Sequence, residues 1–196
     1  MEPLRSQSRL DIMLGSMFSG KSSALLRKLS QFEEMGLSAL YINHDLDNRS
    51  GNAYSTHSPL LKDRPLEMTT LKTKNLESIE MSSLSPFDVI GIDEAQFFGE
   101  ELVSFVKKLV ENHNKYVIIV GLDGDYRREK FGYLLDLIPL ADNVVKLHAY
   151  CKRCAENHKT LRNALFTHRT VAVNGILVGG SESYDPVCRG CYLELN

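Results

Sequence analysis

Three groups of residues carry the chemistry open to this sequence. The first is Gly15-Ser16-Met17-Phe18-Ser19-Gly20-Lys21-Ser22. It fits G-x-x-x-x-G-K-[ST], a loop whose consecutive N–H groups turn inward around phosphate oxygens. Glycines at its two ends allow dihedrals that side chains forbid. Lys21 brings a mobile positive charge to the β- and γ-phosphates, and the Ser22 hydroxyl is a Mg2+ ligand. Short patterns recur by chance, but here the apolar run LDIML precedes the loop and the helix-like stretch KSSALLRKLSQFEEMG follows it. That is the context the motif requires, so nucleotide binding is expected.

The second group is Asp93-Glu94, which ends the apolar run in VIGIDEAQFF. A carboxylate at the C-terminal end of a parallel strand lies at the ligand-binding edge of its sheet. Asp93 can hold Mg2+ there, and Glu94 can reach the attacking nucleophile. Alone, such a pair would be an ordinary solvated turn; the phosphate loop favours the functional reading. The third group is Cys151-x-x-Cys154 and Cys188-x-x-Cys191, all four of the chain's cysteines. Two such pairs suit a closed, tetrahedral, structural zinc site and leave no open position for catalysis. A redox role is the weaker reading, because the pairs are matched. They bracket residues 155–187, a long excursion of the kind that forms lids and binding loops. With four thiolates filling the shell, His148, His158 and His168 read as surface or packing residues.

These groups need elements to position them. Strand candidates are 9–14, 37–43, 87–93, 115–121 and 143–149, and helix candidates are 21–35 and 100–113. The second helix places Leu102, Phe105, Val106, Leu109 and Val110 on one face. Near-continuous apolar strands alternating with helices predict an α/β fold: a P-loop NTPase-like parallel sheet with helices on both faces. The polar segment 44–86 reads as a loop between core strands. After Cys151 the character changes, and RTVAVNGILVGG reads as hairpin material. We expect a nucleotide-binding domain over 1–149, and a small zinc-ribbon-like module carrying a loop over 150–196. At 196 residues the chain is long enough for its own core.

Taken together, GSMFSGKS, DNR (Asp47–Arg49), TH (Thr56, His57), GIDEAQFF, GLDGDYRREKFG, LADNVVKLHAYCKRC, FTHR and GGSESYDPVCRGCY closely resemble the type II, or cytosolic-type, thymidine kinase family over nearly the whole chain. The resemblance implies ATP as donor, the 5′-hydroxyl of thymidine as acceptor, and thymidine monophosphate and ADP as products. It makes Glu94 the general base. It sets Asp47, Asn48, Arg49, Asp93, Ala95 and Gln96 beside the phosphates and Mg2+. Met17, Phe97, Leu122, Tyr126 and Phe131 match the nucleoside pocket. The excursion matches the family's lasso loop, with Thr167, Gly175, Ile176, Leu177, Val178, Gly179 and Tyr184 as thymidine contacts. It further implies a homotetramer, with a homodimer as the alternative, and feedback inhibition by thymidine triphosphate (dTTP). Three departures stand out. Ser16 replaces a frequent proline, although its side chain is not needed for the cradle. Tyr126 stands where many members have phenylalanine. Asp125 and Glu129 make their stretch more acidic.

A competing class is a P-loop ATPase that remodels nucleic acid, with the zinc module as its grip. A net charge of −2 gives no basic footprint for that, and the module lacks a clustered basic and aromatic surface. A regulator that has lost catalysis is disfavoured because Lys21, Ser22, Asp93 and Glu94 are all present. The first residues, MEPLRSQSRLD, carry no apolar signal-like segment, and no apolar run would span a membrane. A cytoplasmic protein without nucleic-acid or membrane partners is expected.

Overall fold

The computed structural model describes residues 8–46, 68–172 and 177–195. Its central sheet comprises β1 (Arg9–Gly15), β2 (Ala39–His44), β3 (Thr69–Thr73), β4 (Val89–Ile92), β5 (Tyr116–Gly121) and β6 (Asn143–Leu147). Their spatial order is β3-β2-β4-β5-β1-β6. Every pairing is parallel, so all the carboxyl ends open on one edge.

Strands β1, β2, β4 and β5 are buried on both faces, as their apolar runs predict. Helix α1 (Lys21–Glu34) lays Leu25, Leu26 and Leu29 on one face, against Tyr41, Val89, Ile118 and Val120. On the other face, Leu102, Phe105 and Val106 of α2 (Glu101–Lys107) pack with Ile12, Ile42, Ile92 and Ile119. The chain continues from α2 as a π-helical turn, Lys108–Asn112, which brings Leu109 into the same core. Where one regular helix was expected over 100–113, the last turn is therefore wider.

The reading of 44–86 as loop fails at β3. The sequence TTLKT contains no apolar run because this strand pairs with β2 alone, at the sheet edge, and is only partly buried. Among its described residues, the C-terminal region has two further helices and two small sheets. Strand β7 (Ala149–Tyr150) pairs with β8 (Asn163–Ala164), and β9 (Phe166–Arg169) pairs with β10 (Tyr184–Val187), both antiparallel. Helix α3 (Lys152–His158) follows the first cysteine of one pair, and α4 (Arg189–Leu195) overlaps the other. The described strands of the expected hairpin lie at the flanks of RTVAVNGILVGG, with β9 ending on its first residue, Arg169. They fall where the cysteines anchor the chain: β10 runs directly into Cys188. This region has its own buried cluster of Ala149, Ala164, Val187, Tyr192 and the four cysteines.

Asp11 ties β1 to its surroundings at the end of the sheet away from the phosphate loop. Its buried carboxylate accepts hydrogen bonds from Tyr116 Oη at 2.6 Å, Arg9 Nε at 2.7 Å and Lys28 Nζ at 3.0 Å. Lys28 belongs to α1, so strand and helix are locked together beneath the loop that joins them.

Candidate active site

The loop between β1 and α1 is shaped by close approach and by handedness. A Cβ on Gly15 would lie 2.5 Å from the Leu147 carbonyl oxygen, which only glycine avoids. Gly20 caps α1 with φ 81°, in the left-handed region that glycine enters without steric cost. Helix α1 therefore points its N-terminus into the loop, where the helix dipole favours an anion. Lys21 Nζ donates to the Ser16 carbonyl at 2.7 Å. Two bonds carry the loop across to the C-terminal region. Met17 N–H donates to Thr167 Oγ1 at 3.0 Å, and the Ser16 hydroxyl donates to the Ala164 carbonyl at 3.3 Å. Ser16 is thus a tie between two parts of the fold, a role the sequence reading did not foresee.

Asp93 follows the end of β4 and is buried. Its carboxylate accepts from Tyr41 Oη at 2.7 Å, from the Glu94 N–H at 2.7 Å and from the Ser22 hydroxyl. Burial pushes its pKa up to about 7, and the neighbouring Glu94 charge adds to the rise. A carboxylate so poorly solvated, joined to a serine hydroxyl, fits a divalent cation: both oxygens suit Mg2+, whose charge would repay the desolvation.

Glu94 adopts φ 50° and ψ 39°, a left-handed conformation costly for a residue with a side chain. Its carboxylate accepts from Gln96 Nε2 at 2.5 Å. Gln96 Oε1 in turn accepts the Leu122 N–H at 3.0 Å, which fixes the amide's orientation and leaves its NH2 facing Glu94. Gly132 makes room for this arrangement, since a Cβ there would lie 2.3 Å from the Gln96 carbonyl oxygen.

These elements surround a cavity of about 600 Å³, within the ordinary range for a small-molecule site. Met17, Phe18, Gly20, Lys21 and Ser22 form one side, and Glu94 and Gln96 stand beside them. Phe97, Leu122, Tyr126 and Phe131 make an apolar wall, with Phe97 and Phe131 in edge-to-face contact at 5.7 Å. Thr167, Leu177, Val178, Gly179 and Tyr184 close the far side. The Tyr184 hydroxyl donates to the Leu177 carbonyl at 2.7 Å, so it shapes the loop that passes over the cavity. Ala95 lies in the hydrophobic core, and Phe98 is core as expected. Gly15, Ser16, Ser19 and Asp93 do not line the cavity themselves. Asp47, Asn48, Arg49, Thr56, His57, Gly175 and Ile176 lie outside the described residues.

Several cavity residues carried no signal of their own in the sequence. Arg127, Lys130 and Arg169 line it, and Arg169 sets its guanidinium 3.9 Å from the Tyr126 ring centroid. Only its place two residues after Thr167, in FTHR, could have pointed to Arg169. Tyr41 reads from its strand as simple core.

The four cysteine sulfurs all lie within 4.8 Å of one another. Cys154 Sγ is 3.7 Å from Cys188 Sγ and 3.6 Å from Cys191 Sγ. Disulfide sulfurs would be about 2.0 Å apart, whereas sulfurs 2.3 Å from a tetrahedral zinc ion are about 3.8 Å apart. The cluster fits structural zinc. His148 and His158 are exposed and His168 is partly buried, outside the cluster. Among the described residues, no helix is long and apolar enough to cross a membrane.

A family model for thymidine kinase matches residues 8–192. The chain is 39% identical over 188 residues to a thymidine kinase of Oryza sativa subsp. japonica, covering 94% of this chain and 66% of that protein. Over 193 residues it is 36% identical to the cytosolic thymidine kinase of Homo sapiens, covering 98% and 76% respectively. Identity to a thymidine kinase of Variola virus is 36% over 186 residues, covering 94% and 97%. Among solved structures, the flagellar accessory protein FlaH from Methanocaldococcus jannaschii matches with a TM-score of 0.52 at 18% identity, over 82% of this chain and 77% of that one. At that identity the likeness concerns the fold alone.

Proposed function

Since the chain belongs to the thymidine kinase family, we propose that it transfers the γ-phosphoryl group of ATP to the 5′-hydroxyl of thymidine. The observation that carries this reading is the shared cavity: Lys21, Ser22, Glu94, the aromatic wall and residues 177–179 all line it. A phosphate grip, a carboxylate and a flat apolar slot under a loop suit a nucleoside acceptor better than water.

In this reading ATP lies along the loop from Gly15 to Ser22, with Asp47–Arg49 and Asp93–Gln96 near its phosphates. Ser22 and Asp93 would hold Mg2+, which would supply positive charge to stabilise the phosphates during transfer. Thymidine enters with its base against Met17, Phe97, Leu122, Tyr126 and Phe131. Thr167, the backbone of residues 177–179 and Tyr184 face the base and sugar, and Gly175 and Ile176 are proposed as further thymidine contacts. Such a backbone edge tells thymine from cytosine by its donors and acceptors, because an unmet buried hydrogen bond is costly. The 5′-oxygen attacks the γ-phosphorus and gives its proton to Glu94. The bond from that phosphorus to the β-phosphate bridging oxygen breaks, and ADP leaves. Phosphoryl transfer needs mainly positioning and charge stabilisation, and Gln96 keeps Glu94 in place for it.

Residues 150–196 act in this scheme as a zinc-clamped module delivering the lasso to a nucleotide-binding domain over 1–149. Family membership also underlies the proposals of a cytoplasmic homotetramer and of inhibition by dTTP. The test is ATP turnover with thymidine or single-stranded DNA added separately. Phosphorylation of thymidine and indifference to DNA are expected; stimulation by DNA with no phosphorylated thymidine would overturn the reading.

A further inference from the structure

Tyr192 stands one residue beyond Cys191, on α4, and is 5% exposed. Its hydroxyl leaves the cysteine cluster and donates to the Tyr126 carbonyl oxygen at 2.8 Å. The two residues are far apart in the chain, and the bond joins the last turn of the molecule to the wall of the cavity. The same ring supports that wall a second time. The Arg128 guanidinium lies 4.4 Å from the Tyr192 ring centroid and 5.5 Å from that of Phe166, while Phe166 and Tyr192 are themselves 5.5 Å apart. Arg128 has φ 66°, a conformation that arginine holds only when its surroundings impose it.

The segment so held is a tight turn. The Asp125 carboxylate accepts from the N–H groups of Arg127 and Glu129, and Gly124 bridges to Lys130. These contacts brace it internally, and Tyr126 is the aromatic residue it presents to the cavity. Arg169 of β9 covers one face of the Tyr126 ring, so that ring is gripped from the cysteine region through both backbone and side chain.

We propose that Tyr192 is a positioning residue for nucleoside binding: it holds the Tyr126 turn at the height the base requires, linking the cysteine cluster to the nucleoside pocket. This rests on the proposed placement of the base against Tyr126. Tyr192 does not reach the phosphate side, so its loss should be felt by the nucleoside and not by ATP.

The test is Tyr192→Phe in the zinc-loaded enzyme, which removes the hydroxyl and keeps the ring that stacks with Arg128 and Phe166. Loss of this partly buried hydrogen bond corresponds to a rise of roughly five- to tenfold in the thymidine KM, with kcat, the ATP KM and zinc content unchanged. Tyr192→Leu, which also removes the ring, should raise the thymidine KM further. An unchanged thymidine KM in Tyr192→Phe would overturn the proposal. So would an equal rise in both KM values, or loss of zinc, either of which would make Tyr192 merely structural. If the parent enzyme phosphorylates no thymidine, the functional reading falls, and this inference with it.

Discussion

Glu94 occupies a backbone position that costs energy to hold, and its neighbours supply what keeps it there. Asp93 accepts its N–H, Gln96 donates to its carboxylate, and Gly132 leaves space for the Gln96 backbone. A carboxylate aimed this way serves proton transfer, for which a general base typically contributes about 10²–10⁴-fold. Glu94→Gln keeps the side chain's shape and removes its basicity. Turnover should fall by at least ~10², while ATP affinity measured by calorimetry changes little; equal rates in mutant and parent would remove Glu94 from the chemistry. Lys21, Ser22, Asp93 and Glu94 were legible in the sequence because each sits in a short local pattern. The contacts of Tyr41, Gln96 and Arg169 were not. Tyr41 reaches Asp93 from a neighbouring strand, and Gln96 reaches Leu122 from another element, so no local pattern reveals either.

Elements hold these residues at their heights, and β1 with α1 does most of that. Burial pushes the Asp11 carboxyl up, but hydrogen bonds from Tyr116, Arg9 and Lys28 outweigh it, and its pKa falls below the ordinary carboxylate value. A depressed folded-state pKa contributes stability that is complete above the unfolded value, about 3.9, and lost as pH falls through the folded one. Asp11→Asn should therefore cost about 1–3 kcal/mol near pH 7. The gap from the parent should narrow below about pH 4, as the parent's Asp11 is protonated and loses the charged interaction that the Asn chain already lacks. Thermal melts across pH 7 to pH 3 check this, and a gap that stays constant contradicts it. The central strands were readable from their sequences because burial on both faces demands apolar runs. Strand β3 escaped because an edge strand can be Thr-rich and half exposed. The flanks of RTVAVNGILVGG became strands because the cysteines anchor them, a constraint that hydropathy does not express.

Across the whole molecule, the phosphate loop and the C-terminal region meet at Ser16–Ala164 and Met17–Thr167, and both face one cavity. The two ends of the sequence thus build one site, with Glu94 from the middle of the chain between them. Composition and spacing foretold the phosphate grip and the metal cluster, but only the folded chain shows how near they lie. The identity of the acceptor depends on that nearness. A crystal structure with thymidine and a non-hydrolysable ATP analogue measures it directly, as the distance from the thymidine 5′-oxygen to the Glu94 carboxylate. Hydrogen-bond reach, roughly 2.6–3.2 Å, with the γ-phosphate on the other side of that oxygen, is the expected result. A thymidine bound elsewhere, or a 5′-oxygen turned away from both Glu94 and the γ-phosphate, would contradict transfer at this site.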